Sequence, residues 1–175
     1  MEPTAQDVAA AVAKEAGDEL DGAVRKIKHC MKQLNEEQVW WRPAASMNSI
    51  ANLILHVCGN VRQWITSGIG GAEDARNRPT EFSEQDSIAR DELLRRLDVA
   101  VAEAKAALAN ASPAVLLGSR RIQGFDVTGM QAIFESIAHF RGHTQEIVHM
   151  TRIRLGGDYE FAFVPTTPEQ GAPQE

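Results

Sequence analysis

Residues 128–157 read TGMQAIFESIAHFRGHTQEIVHMTRIRLGG, and the spacing within this stretch decides the fold. Met130, Ile133, Phe134 and Ile137 recur at intervals of three and four, and Ile147 and Val148 resume the same stripe. That is the period of an α-helix with one buried face. Thr128 with Gln131 three residues on forms a capping box, and Gly156-Gly157 ends the helix. The predicted helix over 129–155 is about 40 Å long at 1.5 Å per residue, long enough to run the length of a small domain.

Three further segments carry the same period. In residues 6–35, Leu20, Val24, Ile27, Met31 and Leu34 make one apolar stripe. In 48–67, opened by Asn48 or Ser49 as cap, Ile50, Leu53, Ile54, Val57, Val61, Trp64 and Ile65 make a broad one. In 83–109, Ser83-Glu84-Gln85-Asp86 reads as a capping-box start, followed by Leu94, Leu97, Val101, Ala104 and Leu108. With no clear strand alternation, the fold class is all-α, a four-helix bundle. The connections 36–47, 68–82 and 110–128 are long enough to cross a bundle end, and 120–127 has room for a short extended piece. A single domain over residues 1–165 is expected, with 166–175, rich in Pro, Thr, Gln and Glu, as a frayed tail.

Composition narrows the function. The chain has 175 residues, 43% of them apolar, with 18 Lys and Arg against 24 Asp and Glu for a net charge of −6. At this length an apolar core forms without metal or disulfide, so a metal site is expected to serve chemistry. The basic residues form short pairs amid acids, which argues against nucleic acid as a partner. No run approaches the roughly 20 apolar residues of a membrane span, and the start has no secretory-leader pattern. Cys30 and Cys58 are expected to be reduced thiols in a cytoplasmic protein.

The chemistry lies in the histidines. His139 and His143, four apart, present both imidazoles from adjacent helical turns, the spacing by which a helix offers two nitrogens to one ion. Their sector also holds Ala132, Ser136, Glu146 and Met150, which leave room for an ion and a substrate. His56 sits at the edge of its helix's apolar face among Ser49, Asn52, Asn60 and Gln63. Three imidazoles from two helices would bind a divalent ion such as zinc or nickel and leave positions open. Asn52, Asn60 and Gln63 could then hold the other ring nitrogens or a bound water. The alternative is three separate core-edge histidines bonded to those amides. His29 and His149 lie on other faces and read as ordinary solvated residues.

The stretches 48–65 and 136–147 together resemble the DinB/YfiT-like superfamily, and Trp41-Arg42-Pro43 and residues 76–82 fit it as well. The likeness spans about residues 5–165. It implies a bundle of up-down-down-up order, with one histidine from the second helix and two from the fourth on a divalent ion; these roles fall to His56, His139 and His143. It further implies chemistry on a small-molecule substrate with a low-molecular-weight thiol, and a homodimer. One departure stands out: where the family commonly has Gly-Gln before an Ile, this chain has Gln145-Glu146 before Ile147. Glu146 is thus the candidate catalytic carboxylate, as a further ligand or a general base on water or thiol, with a plain surface acid as the alternative.

Other residues read two ways. Trp40 and Trp41 could line a substrate mouth or plug a helix junction. Arg76, Arg78 and Glu81 could bind an acidic ligand or tie a crossover loop to the bundle. Cys58 lies about 200° from His56 on the wheel and should point away from an ion.

Overall fold

The computed structural model describes residues 2–85 and 88–162, so the expected tail at 166–175 lies outside the described residues. Among them the chain is mostly helical. Helix α1 spans Ala5–Gln33 behind a Thr4–Asp7 capping box, and its expected stripe from Leu20 to Leu34 is buried throughout. A five-residue α2 (Glu36–Trp40) follows. It folds Val39 and Trp40 into the core, and Trp40 Nε1 donates to Ile88 O at 3.2 Å. Trp40 is therefore a junction plug, while Trp41 packs under the Arg154 guanidinium.

Helix α3 (Ile50–Val61) starts at Ser49, whose hydroxyl and backbone pair with Asn52 as a capping box. All seven expected apolar positions from Ile50 to Ile65 are buried. The last six residues, Arg62–Ser67, widen into a π-helical turn with Gly68 N donating to Gln63 O. The expected third helix is divided. Ser83 closes a short α4 (Arg78–Ser83), and α5 (Arg90–Ala109) begins at Ala89 without a side-chain cap of its own. A carboxylate from elsewhere replaces the cap: Glu36 accepts from Arg90 N at 3.0 Å, and the Arg90 side chain donates to Leu34 O. That contact joins the α1–α2 corner to the start of α5, and no local pattern encodes it.

After α6 (Pro113–Leu117) comes an antiparallel hairpin, β1 (Ser119–Ile122) and β2 (Phe125–Thr128), so the chain is not purely helical. Gln123 and Gly124 make its two-residue turn with φ of 52° and 85°, the left-handed pair that a tight hairpin requires. Helix α7 spans Gly129–Leu155 and carries the predicted Thr128–Gln131 capping box. One stripe position differs: Phe134 is 63% exposed, because the helix turns Ile133 and not Phe134 to its neighbours.

Helix α1 packs against α5 and α7, and α3 packs against the same two, with the core between the four. Lys28 pairs with Asp98 and Asp21 with Lys105 across α1 and α5. Glu19 pairs with Arg141 across α1 and α7, Arg62 with Glu103 across the α3 extension and α5, and Asn60 with Ser136 across α3 and α7. No helix among the described residues is long and apolar enough to cross a membrane.

Candidate metal centre

His56 projects from the middle of α3, where 5% of it remains exposed, and His139 and His143 project from successive turns of α7. Packing α3 on α7 brings the three together. Ring centres are 4.9 Å apart for His56–His139, 5.0 Å for His56–His143 and 4.5 Å for His139–His143. One ring nitrogen from each lies within 4.8 Å of the other two. His139 Nε2 and His56 Nε2 are 2.9 Å apart; two imidazoles on a tetrahedral zinc with 2.0–2.1 Å bonds would have nitrogens about 3.3 Å apart. That pair needs to open by only a few tenths of an ångström to share such an ion.

The other face of two rings is fixed by carboxylates. His56 Nδ1 donates to Glu81 Oε2 at 2.8 Å, and His143 Nδ1 donates to Glu146 Oε2 at 2.8 Å. A carboxylate can only accept, so it keeps the proton on Nδ1 and leaves the Nε2 lone pair directed at the cluster. Glu81 is itself gripped by Arg76, with Nε to Oε1 at 2.7 Å and Nη2 to Oε2 at 2.9 Å. Burial alone would raise the Glu81 pKa, but the hydrogen bonds from Arg76 and His56 outweigh it and hold the group below the usual carboxylate range. For His139 the direction is also downward, to about 4, first through burial and then through the charges of His143, His56, Arg76 and Arg78. A neutral imidazole, as a metal ligand must be, is what this environment favours at pH 7.

The three amides expected to hold the ring nitrogens do other work. Asn52 accepts from Ser49 and Arg42 and donates to the backbone of Glu81 and Glu84, anchoring α4. Asn60 accepts from Ser136 Oγ, and Gln63 binds Asp74, Arg76 and Gln123. Gln63 lies seven residues from His56, about 10 Å along a helix, which puts it out of reach of that ring. Two of the three amides thus serve the imidazole at one remove, through Glu81 or Arg76. Glu146 stands beside the cluster, with Oε2 engaged on His143.

In the sequence Glu81 is legible only as part of an Arg/Glu cluster that binds an acidic ligand or ties a crossover loop, and nothing in a six-residue helix says that it faces His56. One signal did exist. Gly59 lies on the polar side of α3, one turn from His56, and a Cβ built there lies 2.0 Å from Glu81 Oε1 and 3.0 Å from Arg76 Nε. The glycine lets the ion pair lie directly on the helix. Cys58 lines a cleft of about 490 Å³ on the other side of that pair, with Leu55, Gly59 and Arg62, and burial pushes its thiol up to about 12. It is no part of the three-histidine cluster, and a thiol so shifted is a poor nucleophile at neutral pH. His149 is exposed, and His29 binds Glu160 O and Gln33.

Fold and site thus define a mostly helical protein with a three-histidine cluster between two long helices, suited in its donor set to a transition metal. The chain belongs to the family described as "Protein of unknown function (DUF1572)", whose family model matches residues 7–167. No curated protein matches it.

Proposed function

We propose that this protein binds one divalent transition metal, zinc or nickel, through His56, His139 and His143, and uses it to activate a low-molecular-weight thiol for transfer to a small electrophile. The observation that carries the reading is the pair of carboxylates, Glu81 and Glu146, which keep protons on Nδ1 and turn Nε2 lone pairs toward one point. A trio of structural histidines needs no such arrangement. Three protein ligands also match the donor count of catalytic sites, which keep a position open for a reactant. When bound, the ion supplies Lewis acidity that makes a thiol or water deprotonate near neutral pH. His56, fixed by Glu81 and Arg76, is the rigid ligand; His139 and His143 are half-buried and so keep the cluster within reach of solvent.

The DinB/YfiT-like resemblance supports this reading, and so do the helix pairings. Leu34 with Arg90 and Asp21 with Lys105 run α1 against α5; Glu19 with Arg141 sets α1 alongside α7; His56 with His139 and Asn60 with Ser136 run α3 against α7. Antiparallel pairing of α1 with α5 and of α3 with α7 supports the up-down-down-up order that the resemblance implies. The same resemblance extends the proposal to a cytoplasmic homodimer, which sedimentation of the purified chain checks. A hydrolase is the second reading, favoured by Glu146 at the edge of the cluster as a base for water. Its engagement with His143 makes orientation of that ligand its first role.

The test is metal content after reconstitution and dialysis, on wild type, His56→Ala and His139→Ala. About one ion per chain in wild type and little in either variant is expected; equal content in all three refutes the site. Turnover that requires an added thiol supports transfer, and turnover without one supports hydrolysis.

A further inference from the structure

Arg76 and Arg78 stand at the same corner of the fold, yet their surroundings differ. The Arg76 guanidinium is closed in by Glu81 and Gln63. Arg78, the first residue of α4, is exposed, and among the described residues its guanidinium meets no carboxylate and no hydrogen-bond acceptor. It is not loose, however. It lies 5.0 Å from the centre of the Phe82 ring, and that ring lies 4.9 Å from the His56 imidazole. One phenyl ring therefore separates an unpaired cation from the three-histidine cluster. A cation over an aromatic ring keeps its N–H donors unspent, and a guanidinium with free donors can take a carboxylate with two parallel bonds.

The charge count around the cluster points the same way. Arg76 and Glu81 cancel, and Glu146 supplies one negative charge. A divalent ion together with Arg78 leaves the neighbourhood positive overall, which selects an anionic ligand.

We propose that Arg78 is a specificity-determining residue that clamps a carboxylate of the substrate, so that the molecule brought to the cluster is a mercaptocarboxylate: its thiol faces the histidines and its carboxylate pairs with Arg78. This deepens, and rests on, the metal-centre reading above. The thiol and the carboxylate must stand only a few bonds apart, because only Phe82 separates the two attachment points.

Calorimetric titration of the zinc-loaded full chain with 3-mercaptopropionate and with its uncharged amide tests the clamp. Wild type is expected to bind the acid more tightly than the amide, and Arg78→Gln to weaken the acid about tenfold, the effect of one charge-assisted pair, while leaving the amide and the zinc affinity unchanged. Recovery of part of the acid's affinity in Arg78→Lys is the companion result. Equal affinity of wild type and Arg78→Gln for the acid overturns the proposal, as does an equal loss for acid and amide. If neither thiol binds the loaded wild type, or no zinc is taken up, the functional reading fails on its own account. Succinate, which carries no thiol, then decides the clamp: weaker binding to Arg78→Gln sustains it, and equal or absent binding to both proteins overturns it.

Discussion

At the scale of single residues, Glu81 and His139 determine what the cluster can do. Replacing Glu81 by Gln keeps its size but allows the amide to present a donor to His56, weakening the enforced tautomer; zinc affinity, read by chelator competition, is expected to fall 10- to 100-fold with the circular dichroism unchanged. Gly59→Ala should act in the same direction, since the new methyl meets the movable ends of Glu81 and Arg76 and pushes the carboxylate from His56. Loss of fold in place of loss of metal in that variant would contradict this account. The depressed His139 gives a pH dependence of known sign. Between its ordinary 6.5 and its folded value of about 4, the unfolded chain binds more protons than the folded one. Lowering the pH through that window therefore destabilises the metal-free protein, while between pH 7 and 8 this group contributes no slope. Urea midpoints at pH 7.5, 6 and 4.5 measure it, and a stability that rises as the pH falls would refute the assignment.

At the scale of elements, three of the four long helices could be read locally and one could not. α7 announces both ends, with Thr128–Gln131 at the start and Gly156 at the close, and Thr128→Ala is expected to cost about 1 kcal/mol in thermal unfolding. The beginning of α5 was misread because Ser83-Glu84-Gln85-Asp86 resembles a capping box, whereas the first free N–H groups lie seven residues later and are met by Glu36. Glu36→Ala should accordingly lower stability by roughly 0.5–1 kcal/mol although it lies in another helix, and a change at Ser83 should do little. The stripes of α1 and α3 needed no such help, because a buried face repeats every three or four residues whatever it packs against.

At the scale of the whole molecule, the core lies between α1, α3, α5 and α7 and is independent of the histidines. Large apolar side chains such as Ile27, Leu53, Leu97 and Phe140 are buried there almost completely. Leu97→Ala is expected to cost 2–5 kcal/mol, most of a small domain's stability, whereas removing metal with a chelator should leave the helical circular dichroism at ambient temperature as it was. A helical signal lost on chelation would make the centre a folding clamp and undo its assignment to chemistry.

The sequence by itself determined the helices, most of their buried faces, and the two turns of α7 that carry His139 and His143, since each depends on spacing within one segment. It also marked His56 as a polar residue at the edge of an apolar face. Only the tertiary structure decided that Glu81 fixes the His56 ring, that Asn52 and Gln63 serve Glu81 and Arg76 in place of the imidazoles, and that Arg78 meets Phe82 but no carboxylate among the described residues. The links of His56 and Asn52 to Glu81 and of Gln63 to Arg76 join residues 13 to 29 positions apart, and His56 meets His139 across 83 positions through the packing of α3 on α7. Helical periodicity is local physics and can be read along the chain, whereas the partner of a polar group is chosen by whatever the fold brings within hydrogen-bond reach.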